Sequence, residues 1–165
     1  MARLGFEVSG CDAAEENVRA AESHAAEAGL HIVYRHATAE ALAQERVAFD
    51  VVLAMELVEH VSDVAGFLGS AARLLRPGGL LFVATIDRTV KSLALAKFAA
   101  EYVLRWVPPG THDWNRFIRP AELRAKHESA GLTIIRTIGM EFDPLAQDWH
   151  LSQNTDVNYA MVATR

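Results

Sequence analysis

The sequence has very little cysteine: Cys11 is the only one among its 165 residues. A single thiol forms no internal disulfide and no zinc cluster, which suits a reducing cytosolic compartment. The chain also lacks a run of about 18 apolar residues, the length that a membrane-spanning helix needs. Its first residues show no charged segment followed by an apolar stretch, as a secretory signal would. These absences predict a cytoplasmic protein that is neither secreted nor transmembrane.

An excess of basic residues is missing as well. The 16 lysines and arginines are scattered among 21 aspartates and glutamates, and the net charge is −5. Nucleic-acid binding needs clustered basic side chains that neutralise phosphates, so the charge pattern excludes a general nucleic-acid surface. The apolar content of 51% is enough for one core, and a single globular domain is predicted.

Apolar runs alternate with helical patterns along the chain, which predicts an α/β fold with a parallel sheet. Residues 49–54 are apolar enough for a strand buried on both faces. Pro77-Gly78-Gly79 breaks one helix, and Pro120 opens another that Gly131 closes. The predicted strands are 6–11, 31–35, 49–54, 80–84, 132–142 and 157–164, with the last two paired as an antiparallel hairpin. The predicted helices are about 13–28, 39–45, 64–75, 90–106 and 120–130.

Two carboxylates and an imidazole follow the buried strand 49–54. On a helical turn Glu56, Glu59 and His60 would point the same way, at the edge of the sheet where α/β proteins bind their ligands. This pattern predicts hard-metal binding or acid–base chemistry. The alternative is an exposed turn in which the glutamates only solvate the surface and His60 acts as a cap or a base.

Other polar residues stand at strand ends and in a loop. Asp12 ends the first strand and is predicted to accept hydrogen bonds from ribose hydroxyls, or to cap the following helix. His112 and Asp113 are candidates for acid–base catalysis. The histidine would act as the general base that takes a proton, and the aspartate would orient the histidine. The alternative for these two is a contact that only stabilises a turn.

Several stretches of the chain resemble the Rossmann-like methyltransferases that use S-adenosylmethionine, and among them the O-methyltransferases of ubiquinone biosynthesis. They are GCDAAEENVRAA, FDVVLAMELVEHV, LLRPGGLLFVATIDR, AEYVLRWVPPGTHDW, FIRPAEL and DVNYA. The resemblance implies a Rossmann-like methyltransferase sheet, mostly parallel with a C-terminal antiparallel hairpin. It covers residues 1–165, with a helical insertion at about 88–113.

The resemblance also predicts that part of the domain is absent. In the family, the first strand carries an acidic, glycine-rich loop, D-x-G-C-G-x-G, that approaches the methionine part of the cofactor. This pattern does not occur in the chain, and residues 1–5 resemble the end of the helix that follows it. The interpretation is a partial methyltransferase domain without its first strand and glycine-rich loop. We expect such a chain to bind the cofactor weakly or not at all.

The activity implied by the resemblance is methyl transfer to a catechol-type hydroxyl of polyprenylated phenols and quinols, such as demethylubiquinol and polyprenyl-hydroxyphenol. It implies a Mg²⁺ ion, or Mn²⁺ or Zn²⁺, on Glu56, Glu59 and His60, which would lower the pKa of that hydroxyl. The implied catalytic residues are Glu59, His112 and Asp113. The implied cofactor-binding residues are Asp12, Ala13, Thr38, Ala39 and Met55, with a helix cap as the alternative for Thr38 and core packing as the alternative for Met55.

The insertion carries a basic amphipathic pattern over 88–106. Such a helix can lie in a membrane interface, and the resemblance favours this interpretation because a polyprenyl tail stays in lipid. The protein would then be peripheral on the inner face of the bacterial membrane, with other ubiquinone-pathway enzymes as further partners. The alternative is a lid helix on the core. The alternative functions are methylation of another small phenol and a non-catalytic role in a biosynthetic complex.

Overall fold

The computed structural model describes residues 1–93, 113–143 and 145–165. It divides the chain into two compact units, Met1–Val47 and Ala48–Arg165. Most of the predicted insertion helix and His112 lie outside the described residues. In the described part of the chain, no helix is long and apolar enough to cross a membrane.

The first unit is a βαβα arrangement. Strands β1 (Val8–Asp12) and β2 (Ile32–His36) pair in parallel along their whole length. Helix α1 (Glu15–Glu27) connects them, as a parallel pair requires, and helix α2 (Ala39–Gln44) follows β2. All four elements lie within two residues of their predicted bounds.

The described part of the second unit, residues 48–93, 113–143 and 145–165, contains five strands and three helices. The strands are β3 (Phe49–Met55), β4 (Leu75–Ile86), β5 (Thr133–Asp143), β6 (Asp148–Ser152) and β7 (Asn158–Thr164), and the helices are α3 (Val64–Arg73), α4 (Val90–Ser92) and α5 (Pro120–Ser129). The sheet order is β3-β4-β7-β5-β6. Strands β3 and β4 are parallel, whereas β7 is antiparallel to both β4 and β5. The carboxyl ends of β3, β4 and β5 therefore lie at the same edge of the sheet.

The core of the second unit lies where the helices cover this sheet. Pro120 begins α5, and Leu123 on that helix is fully buried. Fully buried side chains from the central strands pack there too, including Leu81 of β4 and Met161 of β7. The predicted burial of β3 on both faces is wrong: Leu53 is 50% exposed, and Ala54 is the one residue of this strand that is buried.

Two features of the sheet differ from the sequence prediction. Strand β4 begins at Leu75, before Pro77-Gly78-Gly79. A register shift between β3 and β4 accommodates the turn at these three residues. Phe49 lies opposite Leu75, whereas Val51 lies opposite Leu80. The predicted antiparallel pairing of β5 and β7 is confirmed, but β6 was not predicted and pairs with the other edge of β5.

Candidate functional site

Two acidic side chains come together beyond the end of β3. The Glu56 N–H donates to the Ala84 carbonyl of β4 at 2.9 Å, which continues the pairing of the two strands. Glu59 is only 4% exposed and accepts a 2.6 Å hydrogen bond from Thr85 Oγ1. Burial, together with the charge and a hydrogen bond of Glu59, raises the pKa of Glu56 to about 7. These two carboxylates form the acidic pair of the second unit.

The predicted arrangement of all three residues on one helical turn is wrong for Glu56. Its φ of 50° lies in the left-handed region, so the chain turns sharply before residues 58–60 form a turn of their own. The His60 side chain is exposed, whereas Glu59 is buried against Thr85. Among the described residues, no three His, Cys, Asp or Glu side chains are grouped to hold a metal. Two carboxylates suit a hard cation, but His60 does not complete a three-ligand set with them.

A further buried carboxylate lies at the end of β4. Asp87 is 8% exposed, and its Oδ1 atom has no hydrogen-bond partner in the described structure. Burial raises the pKa of Asp87, although the Arg88 backbone N–H and the charge of Arg119 act in the opposite direction. Sequence reasoning missed this residue. The available signal was an acidic residue close to the end of a predicted strand, the same signal that singled out Asp12.

Tyr159 lies on β7 opposite Thr85 and is fully buried. Its hydroxyl donates a 2.7 Å hydrogen bond to the Ile118 carbonyl. The pKa of Tyr159 is raised, first by burial and then by the negative charges of Asp87, Glu122 and Glu59. Tyr159 therefore remains a neutral hydrogen-bond donor, and the negative charges of Glu59 and Asp87 both act on its hydroxyl.

In the first unit, the predicted cofactor residues make contacts that also stabilise helix starts. The Asp12 carboxylate accepts hydrogen bonds from the Ala14 N–H at 2.7 Å and from the Asn17 side chain at 3.1 Å. Thr38 caps α2 by accepting a 3.2 Å hydrogen bond from the Ala41 N–H. The capping alternatives are therefore observed, and they leave lone pairs on the same oxygens for other donors.

The two predicted alanines lie beside these caps, one before α1 and the other in α2. Ala13 directly follows β1, and its carbonyl accepts a 2.9 Å hydrogen bond from His36 Nε2. Ala39 is the first residue of α2.

Met55 and Asp113 complete the predicted set within the second unit. Met55 ends β3 and is 53% exposed, so it does not fill the core. Asp113 accepts a 3.0 Å hydrogen bond from the Asn115 N–H and begins a short 3₁₀ turn, Trp114–Arg116. The turn-stabilising alternative is thus observed for Asp113. Its pairing with His112 falls outside the described residues.

Solved structures share this fold. A SAM-dependent methyltransferase from Methanosarcina mazei matches 99% of this chain and 84% of its own, at 17% identity and a TM-score of 0.71. Magnesium protoporphyrin IX methyltransferase from Synechocystis, with bound SAH, matches 99% and 66%, at 20% identity and a TM-score of 0.66. These matches confirm the predicted Rossmann-like methyltransferase fold.

Comparisons of the sequence identify a narrower group of relatives than the structural matches do. The ubiquinone biosynthesis O-methyltransferase of Caulobacter vibrioides is 54% identical over 166 aligned residues, which cover 100% of this chain and 66% of that protein. The same enzyme of Sinorhizobium fredii is 52% identical, with the same coverage. The chain thus spans just under two thirds of the length of these relatives. A family model described as a methyltransferase domain matches residues 1–83, and the chain belongs to that family.

Proposed function

We propose that this chain serves the O-methylation of ubiquinone precursors, in which a methyl group passes from S-adenosylmethionine to a catechol-type hydroxyl of a polyprenylated phenol or quinol. The observation that carries this proposal is the 54% identity along the whole chain to the ubiquinone biosynthesis O-methyltransferase of Caulobacter vibrioides. The match extends beyond the family model, which ends at residue 83, into the second half of the chain. The likeness therefore includes strands β5 to β7 as well as the part of the chain that the family model matches.

The proposed cofactor-binding residues are those that the family resemblance implies. Asp12 is the proposed partner of the ribose hydroxyls, since its carboxylate already lies at the end of a parallel strand and retains lone pairs. Ala13, Thr38 and Ala39 are proposed to line the same cofactor. Met55 is exposed at the end of β3, which supports its proposed contact with the cofactor.

The acidic pair is proposed to serve the methyl acceptor. Glu56 and Glu59 are the residues that would hold the predicted divalent cation, because two carboxylates suit Mg²⁺ or Mn²⁺. A metal at this position supplies Lewis-acid activation and orientation of a phenolic oxygen. The carboxylate of Glu59 is fixed in place by Thr85, so the protein itself determines where such a group would lie. Glu59, His112 and Asp113 remain the proposed catalytic residues.

The membrane surface and other ubiquinone-pathway enzymes are proposed partners, with the cytoplasmic membrane face as the location. The basic amphipathic pattern in 88–106 and the polyprenyl tail of the proposed substrate support this. Binding to vesicles with anionic lipids should weaken when the basic residues of the insertion are neutralised. Equal binding by that variant would contradict membrane contact.

A methyl-transfer assay tests the central proposal. The chain is joined to a preceding segment that carries the family's first strand and D-x-G-C-G-x-G loop, and this protein is called the extended chain below. It should transfer a radiolabelled methyl group from S-adenosylmethionine to a catechol with a short prenyl tail. Glu59→Gln should lose most of this activity, whereas Glu22→Gln on exposed α1 should keep it.

Three results would contradict the proposal. An extended chain that binds S-adenosylhomocysteine but methylates no phenol would indicate the non-catalytic alternative. Equal rates with prenylated and unprenylated catechols would indicate a methyltransferase for another small phenol. Full activity of Glu59→Gln would remove the acidic pair from the reaction.

A further inference from the structure

We propose that Asp87 binds a hydroxyl group of the methyl acceptor through its Oδ1 atom, next to the hydroxyl that is methylated. The residue would thereby select acceptors with two adjacent hydroxyls over acceptors with one. This inference rests on the proposed function. It goes further by assigning acceptor recognition to a residue at the end of β4.

Asp87 occupies a ligand-binding position of the sheet. It directly follows β4, and its N–H donates to the Val157 carbonyl at 2.7 Å, so the extended pairing continues through this residue. Side chains two residues apart on an extended chain lie on the same face, which places Asp87 on the side of Thr85. Thr85 in turn holds Glu59. Asp87 and the acidic pair therefore share one face at the carboxyl edge of the sheet, where α/β folds bind ligands.

The unpaired Oδ1 atom is the observation that points to a ligand. Buried polar atoms in folded proteins almost always have a hydrogen-bond partner, because an unpaired buried acceptor is costly. Asp87 is more than nine-tenths buried, yet its Oδ1 atom has no partner in the described structure. Unsatisfied groups of this kind are concentrated at functional sites, where a bound molecule supplies the missing partner.

The surroundings indicate which kind of partner fits. A carboxylate oxygen accepts hydrogen bonds, so the ligand must present an O–H or N–H donor. The charge of Arg119 already favours the carboxylate, while Asp156 and Glu122 oppose it. Tyr159 cannot be the donor, because its hydroxyl is engaged by the Ile118 carbonyl. A catechol offers two neighbouring hydroxyls, one for the acidic pair and one for Asp87.

Binding of matched phenols to the 165-residue chain tests this inference without S-adenosylmethionine. The probes are a catechol with a short prenyl tail and the corresponding monophenol, whose dissociation constants are measured by NMR titration. A hydrogen bond to a charged group corresponds to about tenfold or more in affinity, so the native chain should prefer the catechol by at least that factor. Asp87→Leu should reduce the preference to about one, and Asp87→Asn should retain part of it. Asp148→Asn, on exposed β6, is the matched control and should keep the full preference.

The ratio of the two affinities separates recognition from a purely structural role. A structural role would weaken both probes equally and leave the ratio unchanged, and that result would overturn the inference. Absence of a catechol preference in the native chain would overturn it too. Asp87→Leu should also unfold at an equal or higher temperature than the native chain, because it removes a buried carboxylate whose Oδ1 atom has no hydrogen-bond partner. The two proposals can fail separately. If methyl transfer fails while the chain still prefers the catechol and this preference depends on Asp87, the proposed function is contradicted but the role of Asp87 is not.

Discussion

Thr85 Oγ1 donates a 2.6 Å hydrogen bond to Glu59 Oε2, and both side chains are buried. The bond joins β4 to the turn that follows β3, so it connects the carboxyl ends of two neighbouring parallel strands. A buried carboxylate needs such a donor, because the charged form is costly away from water. Thr85 therefore holds the carboxylate of Glu59 in place.

Replacing Thr85 by valine should destabilise the chain by about 1–3 kcal/mol, since the shape is kept while the donor to Glu59 is lost. Urea unfolding of the two proteins measures this difference. Thr85→Ser should recover much of the loss, because it restores the hydroxyl. Thr133→Val, at an exposed position of β5, serves as the control and should change little. Equal stability of Thr85→Val and the native chain would show that the bond contributes nothing to folding.

The sequence predicts those parts of the fold that depend on local pattern. The apolar run at 49–54 and the pair Pro120 and Gly131 each determine an element through a few neighbouring residues, and the structure has β3 and α5 at those places. Strand β6 was missed because its side chains are mostly exposed, and its pairing depends on β5. No local pattern reports such an edge strand.

The candidate site is less predictable, because its geometry depends on distant residues. Glu59 and Thr85 are 26 positions apart, and the left-handed backbone of Glu56 is not marked by a glycine. A spacing rule that assumes a helix therefore placed His60 with the two carboxylates. The sequence indicated the strand end beyond which Glu56 and Glu59 come together, but not how the two side chains are arranged.

The buried side chain of His127 should make the folded chain less stable in acid. It is fully buried on α5, its Nδ1–H donates to the Leu123 carbonyl at 2.8 Å, and its Nε2 atom has no partner in the described structure. Burial, and to a lesser extent Arg124, lowers its pKa from the usual value near 6.5. Below that value the unfolded chain takes up a proton that the folded chain does not, so the free energy of unfolding decreases as the pH falls.

His127→Leu should therefore lose less stability than the native chain between about pH 7 and pH 5. Urea unfolding at several pH values gives the two slopes. His31→Leu, at an exposed position, should keep the native slope. Parallel slopes for His127→Leu and the native chain would show that this histidine does not contribute to the acid sensitivity.

Cofactor binding should depend on the glycine-rich loop and on Asp12. The 165-residue chain should bind S-adenosylhomocysteine weakly or not at all, and the extended chain should bind it measurably by calorimetry. Asp12→Ala in the extended chain should abolish most of that binding, because two ribose hydroxyls lose their acceptor.

Asn17→Ala separates the capping role of Asp12 from ribose binding. It removes one donor to the Asp12 carboxylate while leaving the carboxylate itself, so cofactor affinity should stay near the native value. Native affinity in Asp12→Ala would instead show that Asp12 only caps the helix. Tight binding by the 165-residue chain would contradict the role assigned to the glycine-rich loop.

Methyl transfer should require a divalent cation at the acidic pair. EDTA should abolish methyl transfer by the extended chain and leave cofactor binding nearly intact, because the metal is proposed to contact the acceptor and not the donor. Glu59→Gln keeps size and hydrogen bonding but removes the charge that a hard cation needs, so excess Mg²⁺ should restore part of its activity. His60→Ala should retain more activity than Glu59→Gln, since the exposed imidazole does not join the acidic pair. Activity that resists EDTA, together with its loss in His112→Ala, would instead assign proton removal to His112.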